Sequence, residues 1–264
     1  MGLERGVLAG HVLELVARQP DAREASRGAL SMQSGHILEI SVESVEAAVA
    51  AQRGGAQRIE FCIDTRLGGT TPNDELLRAV RERVSLPISS MVRPRGGSFF
   101  YSEEEFAAMQ RDIDAAKECG MDGVVLGLLK ANGEVDFART KELVERAKPL
   151  VVTFHRAFDE CPNLGKSLED VIKTGAARLL TSGGKRTAPE ALGVLGELVR
   201  MAGGRLIVMP GSGLHSANIR EAVRETGARE YHAGLSSVVA KPTENIGAFE
   251  EEVRKLVAAL RDCE

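Results

Sequence analysis

Three side chains able to move a proton, bind an anion or hold a metal follow a short apolar run in the middle of the chain. His155, Arg156 and Asp159 come directly after the β-branched run at 151–154. An apolar run of this length is typical of a buried strand. We therefore predict that these three residues lie at the carboxyl end of a strand and contribute to a catalytic site.

Charged and thiol side chains also follow other apolar runs. Glu60 and Cys62 end the second run, and Arg93 follows the third. A buried carboxylate is costly unless it is paired, so we expect Glu39 and Glu60 to meet Arg93, Arg156 or a histidine. These charges either form an ion-pair layer that fills the interior or line a pocket that faces a ligand. We favour the pocket, because too many charged groups converge for a filling role alone.

Two glycine-rich turns form a second candidate site. They follow the sixth and seventh apolar runs and contain Ser182 and Gly183 in one, and Gly211, Ser212 and Gly213 in the other. The second turn leads directly into a predicted helix, so backbone N–H groups and the helix N-terminus can bind a phosphate or another anion. The alternative is that glycine serves only a tight turn between a strand and a helix.

An alternation of strands and helices must position these groups. Short β-type runs lie at 37–41, 58–62, 87–92, 122–127, 150–154, 177–181, 205–209 and 229–233. Amphipathic stretches lie between and after them, at 43–53, 73–83, 103–119, 137–147, 166–174, 188–201, 215–225 and 245–261. A glycine that ends a helix stands just before every second strand, so the repeating unit is two βα pairs; these are Gly55, Gly120, Gly175 and Gly227.

Eight βα pairs with a two-pair repeat predict an α/β fold, the single-domain (β/α)8 TIM barrel. In that fold alternate strands supply alternate layers of the interior, and chemistry gathers at the carboxyl ends of the strands. A doubly wound sheet is the rival, but it would normally carry a glycine fingerprint after its first strand, and residues 41–44 are not one. We place the barrel at 35–264, after a short N-terminal extension at 1–34 that is either an extended start or a non-native leader.

Composition excludes several classes of function. With a net charge of −4 the chain lacks the basic surplus of a nucleic-acid-binding protein. No apolar run reaches membrane-spanning length. The four cysteines form no CxxC pair, which argues against a disulfide framework or a local zinc site and favours a reducing cytoplasm. We expect a small-molecule ligand or a metal ion as the partner.

Several runs together resemble the CutC copper-homeostasis family. They are Arg-Gly-Gly-Ala-Gln-Arg-Ile-Glu at 53–60 with Cys62, Gly-Gly-Thr-Thr-Pro at 68–72, Met-Val-Arg-Pro-Arg-Gly-Gly at 91–97, Thr-Phe-His-Arg-Ala-Phe-Asp at 153–159, Leu-Thr-Ser-Gly at 180–183 and Val-Met-Pro-Gly at 208–211. The resemblance runs from about residue 37 to residue 240. It implies a cytoplasmic (β/α)8 barrel, a homodimer or higher homo-oligomer, and copper handling, with Cu(I) bound by cysteine in some members.

The chain departs from the family's pattern where copper would bind. The first-strand position that is often cysteine in the family is Ser41, and the position after the last-strand histidine is Ala233. Cu(I) prefers thiolate or thioether ligands. Cys62 is therefore the candidate metal ligand, with Met91 or Met209 as the nearest sulfur-containing partners.

Two functions follow as hypotheses. The first is a copper-homeostasis protein that binds Cu(I) near Cys62. The second is an enzyme that acts on a small anionic or phosphorylated metabolite by general acid–base chemistry, with Glu60 or His155 as acid or base and Arg93 and Arg156 holding the anion. Because His155 and Arg156 alternate in direction, the pairing we expect is His155 with Glu60 and Arg93. A structural oligomer with a filled barrel is the third possibility.

Overall fold

The computed structural model describes residues 35–264; the predicted extension at 1–34 lies outside the described residues. Eight strands alternate with eight α-helices in the described part of the chain. The strands are β1 (Ile37–Val42), β2 (Arg58–Phe61), β3 (Ile88–Met91), β4 (Gly123–Leu126), β5 (Val151–Phe154), β6 (Arg178–Thr181), β7 (Ile207–Pro210) and β8 (Glu230–Ala233). The helices are α1 (Val45–Gly54), α2 (Asp74–Arg83), α3 (Glu103–Glu118), α4 (Phe137–Ala147), α5 (Leu164–Thr174), α6 (Leu192–Ala202), α7 (Ile219–Thr226) and α8 (Ile246–Arg261).

All neighbouring strands pair in parallel. The sheet runs from β7 down to β1 and then to β8, and a parallel bridge between Gly211 and His232 joins β7 to β8. The sheet is therefore closed into a barrel, and the predicted (β/α)8 fold is confirmed. No helix of the described residues is long and apolar enough to cross a membrane.

Local sequence explains where the helices begin and end. The hydroxyl of Ser102 accepts from the N–H of Glu105, and the Glu105 carboxylate accepts from the N–H of Ser102, which forms a capping box at the start of α3. Gly55 and Gly175 end α1 and α5 with φ angles of 94° and 87°, in the left-handed region that favours glycine. The predicted helix at 188–201 is divided, because Pro189 starts a separate 3₁₀ turn before α6.

Side chains that point into the barrel form layers of four, and alternate strands supply the four members of each layer. The registers between the strands show to which layer each side chain belongs. From the amino end, the first layer is Arg58, Gly123, Arg178 and Glu230, and the second is Glu39, Ser89, Thr153 and Met209. The third is Glu60, Val125, Leu180 and His232, and the fourth is Ser41, Met91, His155 and Gly211. This layering accounts for the two-pair sequence repeat.

The main hydrophobic core lies between the barrel and its helices. Outward residues of the strands, such as Ile40 and Phe61, are fully buried in one cluster with helix residues such as Phe249 and Leu256. Since the apolar core lies outside the barrel, the lumen is free to carry polar groups.

Candidate functional site

The lowest two layers of the lumen hold a buried ion network. The Nε atom of Arg58 donates to Glu39, and a terminal nitrogen of Arg58 donates to Glu230 at 2.5 Å. Arg178 donates to the same oxygen of Glu230 at 2.8 Å. All four side chains are at least nine-tenths buried. These groups close the amino end of the lumen with paired charges.

The closest partner of Glu39 differs from the expectation. The sequence predicted Arg93, Arg156 or a histidine, whereas the ion pair is formed with Arg58. The reason is the strand register, which places Arg58 directly beside Glu39. The signal for Arg58 was present in the alternation of Arg58, Glu60 and Cys62 along one face of β2.

Glu60 and His232 form a buried pair one layer higher. Oε1 of Glu60 lies 3.2 Å from Nε2 of His232, and Oε1 of Glu39 lies 4.0 Å from the same nitrogen. Burial disfavours charge on both groups, but their mutual attraction and hydrogen bond outweigh it. The pKa of His232 is therefore raised, and the pKa of Glu60 is lowered, with further help from Ser41 and Arg58. Both shifts favour an imidazolium paired with a carboxylate.

Several buried polar atoms around this pair have no hydrogen-bond partner among the described residues. They are Oε1 of Glu39, Oε2 of Glu60, Nδ1 of His232, Oγ1 of Thr153 and Nε2 of His155. Buried polar atoms are usually hydrogen-bonded, and those left over call for an explanation. Because these five atoms belong to the second, third and fourth layers, they indicate a binding region for a polar ligand or ion in the middle and upper lumen.

His155 is neutral and does not pair with Glu60. Its Nδ1 accepts from the N–H of Ala157 at 3.2 Å, which caps the 3₁₀ turn at Arg156–Glu160. Burial, and then the charge of Arg93, lower the pKa of His155 to about 3. The ring of Phe99 lies 4.9 Å from the His155 ring and 4.7 Å from the guanidinium of Arg93. His155 and Arg93 are thus brought to the same ring, while Glu60 contacts His232 instead.

Arg93 connects two loops at the carboxyl end of the barrel. One terminal nitrogen donates to the carbonyl oxygens of Leu67 at 2.7 Å and Gly69 at 3.0 Å, and the other donates to Gly97 at 3.0 Å. The side chain connects the loop after β2 with the loop after β3. In this structure, Arg93 therefore orders the mouth of the barrel.

Asp159 binds the turn after β6. Its carboxylate accepts from Oγ1 of Thr181 at 2.5 Å, from the N–H groups of Ser182 at 3.1 Å and Gly184 at 3.0 Å, and from Nε of Arg156 at 2.9 Å. The N–H of Gly183 donates to Thr181 at 2.9 Å. The N–H groups of Ser182 and Gly183 that an anion would need therefore already donate to side chains of this protein.

The turn after β7 keeps its donors free. Ser212 and Gly213 have φ angles of 76° and 73°. Their backbone N–H groups donate to no residue within 35–264, and consecutive N–H groups in such a turn form an anion-binding concavity. A Cβ atom on Gly213 would lie 2.8 Å from the Thr187 side chain, and one on Gly211 would lie 2.4 Å from Leu180. Glycine is thus required sterically at both ends of this turn.

Cys62 lies in a small sulfur-containing cluster. Its Sγ is 3.5 Å from Oγ of Ser41, and its side chain packs with Met91 and Val125. Burial, and then the charge of Glu60, raise the pKa of Cys62 to about 12. Met209 is separate from this cluster, since its sulfur accepts from Arg58 at 3.3 Å. The thiol is therefore protonated, with one thioether beside it.

Four site residues were not selected from the sequence. Arg58, Arg178 and Glu230 belong to the ion network, and His232 pairs with Glu60. Charged residues at a spacing of two within a strand, as in Glu230 and His232, were the available signal. Their partners lie far away in the chain, so the sequence alone does not show which residues meet.

Comparison with known proteins identifies relatives of the whole barrel. The sequence model of the CutC family matches residues 36–237. A CutC family protein of Chromobacterium violaceum is 48% identical over 204 residues, which cover 77% of this chain and 83% of that protein. One from Xylella fastidiosa is 44% identical over 230 residues, which cover 87% and 84%.

A solved structure agrees with these sequence matches. It is that of a Streptococcus agalactiae protein, CutC, whose name links it to copper homeostasis. It superposes with a TM-score of 0.71 at 29% identity, covering 75% of this chain and 98% of that one. Since the family model spans most of the barrel and the relatives share more than 40% of their residues, this chain belongs to the CutC family.

Proposed function

We propose that the chain is an enzyme that transfers protons on a small anionic metabolite bound in the upper lumen. The observation that carries this proposal is the Glu60–His232 pair, with 3.2 Å between Oε1 and Nε2 in the third layer. A carboxylate next to an imidazolium offers a proton acceptor and a proton donor at one point. The unpartnered atoms of Thr153 and His155 supply further hydrogen-bonding groups for the substrate.

Each part of the mouth has a role in this proposal. The imidazolium of His232 gives a proton to the substrate oxygen on which negative charge develops, and Glu60 accepts the proton that the substrate loses. The free N–H groups of Ser212 and Gly213 hold the substrate's anionic group. Arg93 acts as a positioning residue through the loops that it connects.

The turn after β6 contributes in the same way. Asp159 and Arg156 hold the backbone of Ser182 and Gly184, and this turn lies beside the one after β7, because the N–H of Gly211 donates to Thr181 at 3.0 Å. We propose that these residues fix the anion-binding turn in place. The cytoplasm is the proposed location, since all four cysteines are free, and a homodimer or higher oligomer is the proposed state.

Solvent deuterium exchange tests the proton transfer. In D₂O, a panel of small phosphorylated carbonyl compounds is expected to contain a substrate whose exchangeable carbon proton is replaced, as followed by NMR. Glu60→Gln should slow that exchange about 10²-fold, because the acceptor is lost while the side-chain shape is kept. Glu46→Gln, an exposed substitution on α1, is the matched control. Exchange at the same rate in Glu60→Gln and wild type, or no exchange with any member of the panel, contradicts the proposal.

Copper binding is a second candidate function, favoured by one observation. Cys62 and Met91 bring a thiol and a thioether into one buried cluster. The donor set fits Cu(I) only in part, because two sulfur atoms are fewer than a thiolate site usually offers and the pKa of Cys62 stands at about 12. If the protein carries Cu(I) as its cargo, the ion has to displace the proton of the Cys62 thiol.

Titration with Cu(I) under anaerobic conditions tests this candidate. If Cys62 holds copper, the wild type should take up close to one equivalent against a competing chelator, and Cys62→Ser should take up none. Cys119→Ser removes a buried thiol on the outer layer and should bind as wild type does. Equal uptake by Cys62→Ser and wild type, or no uptake by either, rejects copper binding at this cluster.

A further inference from the structure

Three ligand atoms of the lumen converge on one point. Oxygen atoms of Glu39 and Glu60 and a ring nitrogen of His232 all lie within 4.8 Å of one another. Glu39 is fully buried, and it uses one carboxylate oxygen for Arg58 while its other oxygen faces His232 without a partner. The second oxygen of Glu60 also lacks a partner. A buried carboxylate oxygen left unpartnered points to a ligand that the side chain is placed to bind.

The formal charges of the lumen leave room for one more cation. Within the four layers of the lumen, three carboxylates (Glu39, Glu60 and Glu230) face two guanidiniums (Arg58 and Arg178). A buried excess of negative charge has to be neutralised. A cation at the point where Glu39, Glu60 and His232 converge would neutralise this excess.

The distances suit coordination. Ligand atoms bound at about 2.1 Å to one ion, at angles between octahedral and tetrahedral, are about 3.0–3.4 Å apart. The Glu60–His232 separation of 3.2 Å lies in this range, whereas the Glu39–His232 separation is 4.0 Å, so the Glu39 carboxylate has to move closer when an ion binds. We propose that Glu39, Glu60 and His232 form a binding site for one borderline divalent cation of the Zn²⁺, Mn²⁺ and Co²⁺ class.

The donor set selects the class of ion. Two carboxylates and one imidazole suit borderline and harder divalent ions, whereas Cu(I) prefers sulfur. Cys62 is not part of the converging group, although it directly follows the strand that carries Glu60. The site is thus chemically different from a thiolate copper site, and the cation would bind whether or not a metabolite is turned over.

A small cleft lies at the carboxyl end of the barrel, near the proposed site. A cleft between the first and last βα units is lined by Ser41, Glu43, Thr65, Gly234 and Ser236. The Oγ atom of Ser41 lies 3.5 Å from Sγ of Cys62, and the Ser41 hydroxyl helps to lower the pKa of Glu60. The carboxylate of Glu43 lies at the rim of this cleft, where it favours the approach of cations.

Titration of the chelator-treated full chain with Co²⁺ tests the proposal without any substrate. The expected result is one bound equivalent, seen by calorimetry and by visible d–d bands, without the near-ultraviolet band of thiolate-to-cobalt charge transfer. His232→Gln should weaken binding at least tenfold. Glu60→Gln keeps the side-chain shape and should also weaken Co²⁺ binding at least tenfold. If His232→Gln fails to fold, the result for Glu60→Gln tests the proposal.

Two control variants separate this site from others. Cys62→Ser removes the nearby thiol, and His215→Gln removes a histidine outside the lumen; both should bind Co²⁺ as wild type does. The proposal is overturned if the wild type binds no Co²⁺, if a thiolate band appears and disappears in Cys62→Ser, or if Glu60→Gln binds normally. Because the readout is binding, loss of deuterium exchange alone leaves this inference standing, and loss of cobalt binding leaves the proposed proton transfer standing.

Discussion

Replacing Arg58 by methionine is expected to lower the free energy of unfolding by about 3–5 kcal/mol, because it removes one partner of a buried ion network. The guanidinium contacts Glu39 and Glu230, whose side chains are 0% and 7% exposed. Without the Arg58 guanidinium, Glu39 loses its ion pair with Arg58, and Glu230 keeps only the ion pair with Arg178. Methionine is a side chain of comparable length, so the decrease in the free energy of unfolding reports the removal of the charge rather than a change in volume. Urea denaturation followed by circular dichroism gives the value.

Arg53→Met is the matched control for this prediction. Arg53 pairs with Glu250, but its side chain is 57% exposed, and such surface pairs contribute about 0–1 kcal/mol. A loss in Arg58→Met no larger than in Arg53→Met would show that the lumen network does not contribute to stability.

Replacing Asp159 by alanine is expected to cost about 3 kcal/mol. The carboxylate, 7% exposed, joins the 3₁₀ turn after β5 to the turn after β6 through two N–H groups, two hydroxyls and Arg156. Hydrogen bonds to a charged group contribute about 1.5–3 kcal/mol each, and part of this loss is recovered when the exposed Arg156 turns to water. Thermal and urea unfolding measure the difference.

Sulfate provides a second readout for the Asp159 substitution. The N–H groups of Ser182 and Gly184 become free in Asp159→Ala, so added sulfate should raise its melting temperature more than that of wild type. Asp262→Ala, which removes an exposed pair with Arg220, is the control and should lose less than 1 kcal/mol. Equal stability of Asp159→Ala and the control, with no sulfate effect, would contradict the role given to this carboxylate.

The fold was predictable because its signals are local and repeated. Helix-ending glycines such as Gly55 and Gly175, and the capping residues at Ser102, each mark a boundary within a few residues of sequence. Errors arose where a local residue broke a longer pattern, as Pro189 did before α6. Eight repetitions of one unit make such errors harmless to the overall architecture.

The pairing of site residues was less predictable, since it depends on depth in the barrel. Glu60 was recognised as a candidate, but its partner His232 is 172 positions away in the chain. Whether a strand-end histidine meets Glu60 depends on the register of several strands, and an error of one residue turns a side chain to the other face. His155, the histidine that was selected from the sequence, lies one layer higher and contacts Phe99 instead.

Asp159 illustrates a different limit. In sequence, a carboxylate beside His155 and Arg156 has the composition of a catalytic group. In the folded chain its oxygens accept from Thr181, Ser182, Gly184 and Arg156, which makes it a structural anchor of the neighbouring turn. Residue type and strand-end position indicate where polar side chains gather, but only the hydrogen-bond partners show which of them remain available.

The ion network of Arg58, Glu39, Glu230 and Arg178 also determines how ligands exchange. Its side chains, 9% exposed or less, close the amino end of the lumen. An ion or metabolite bound above them would therefore have to enter and leave at the carboxyl end. At that end, Arg93 joins the loops after β2 and β3.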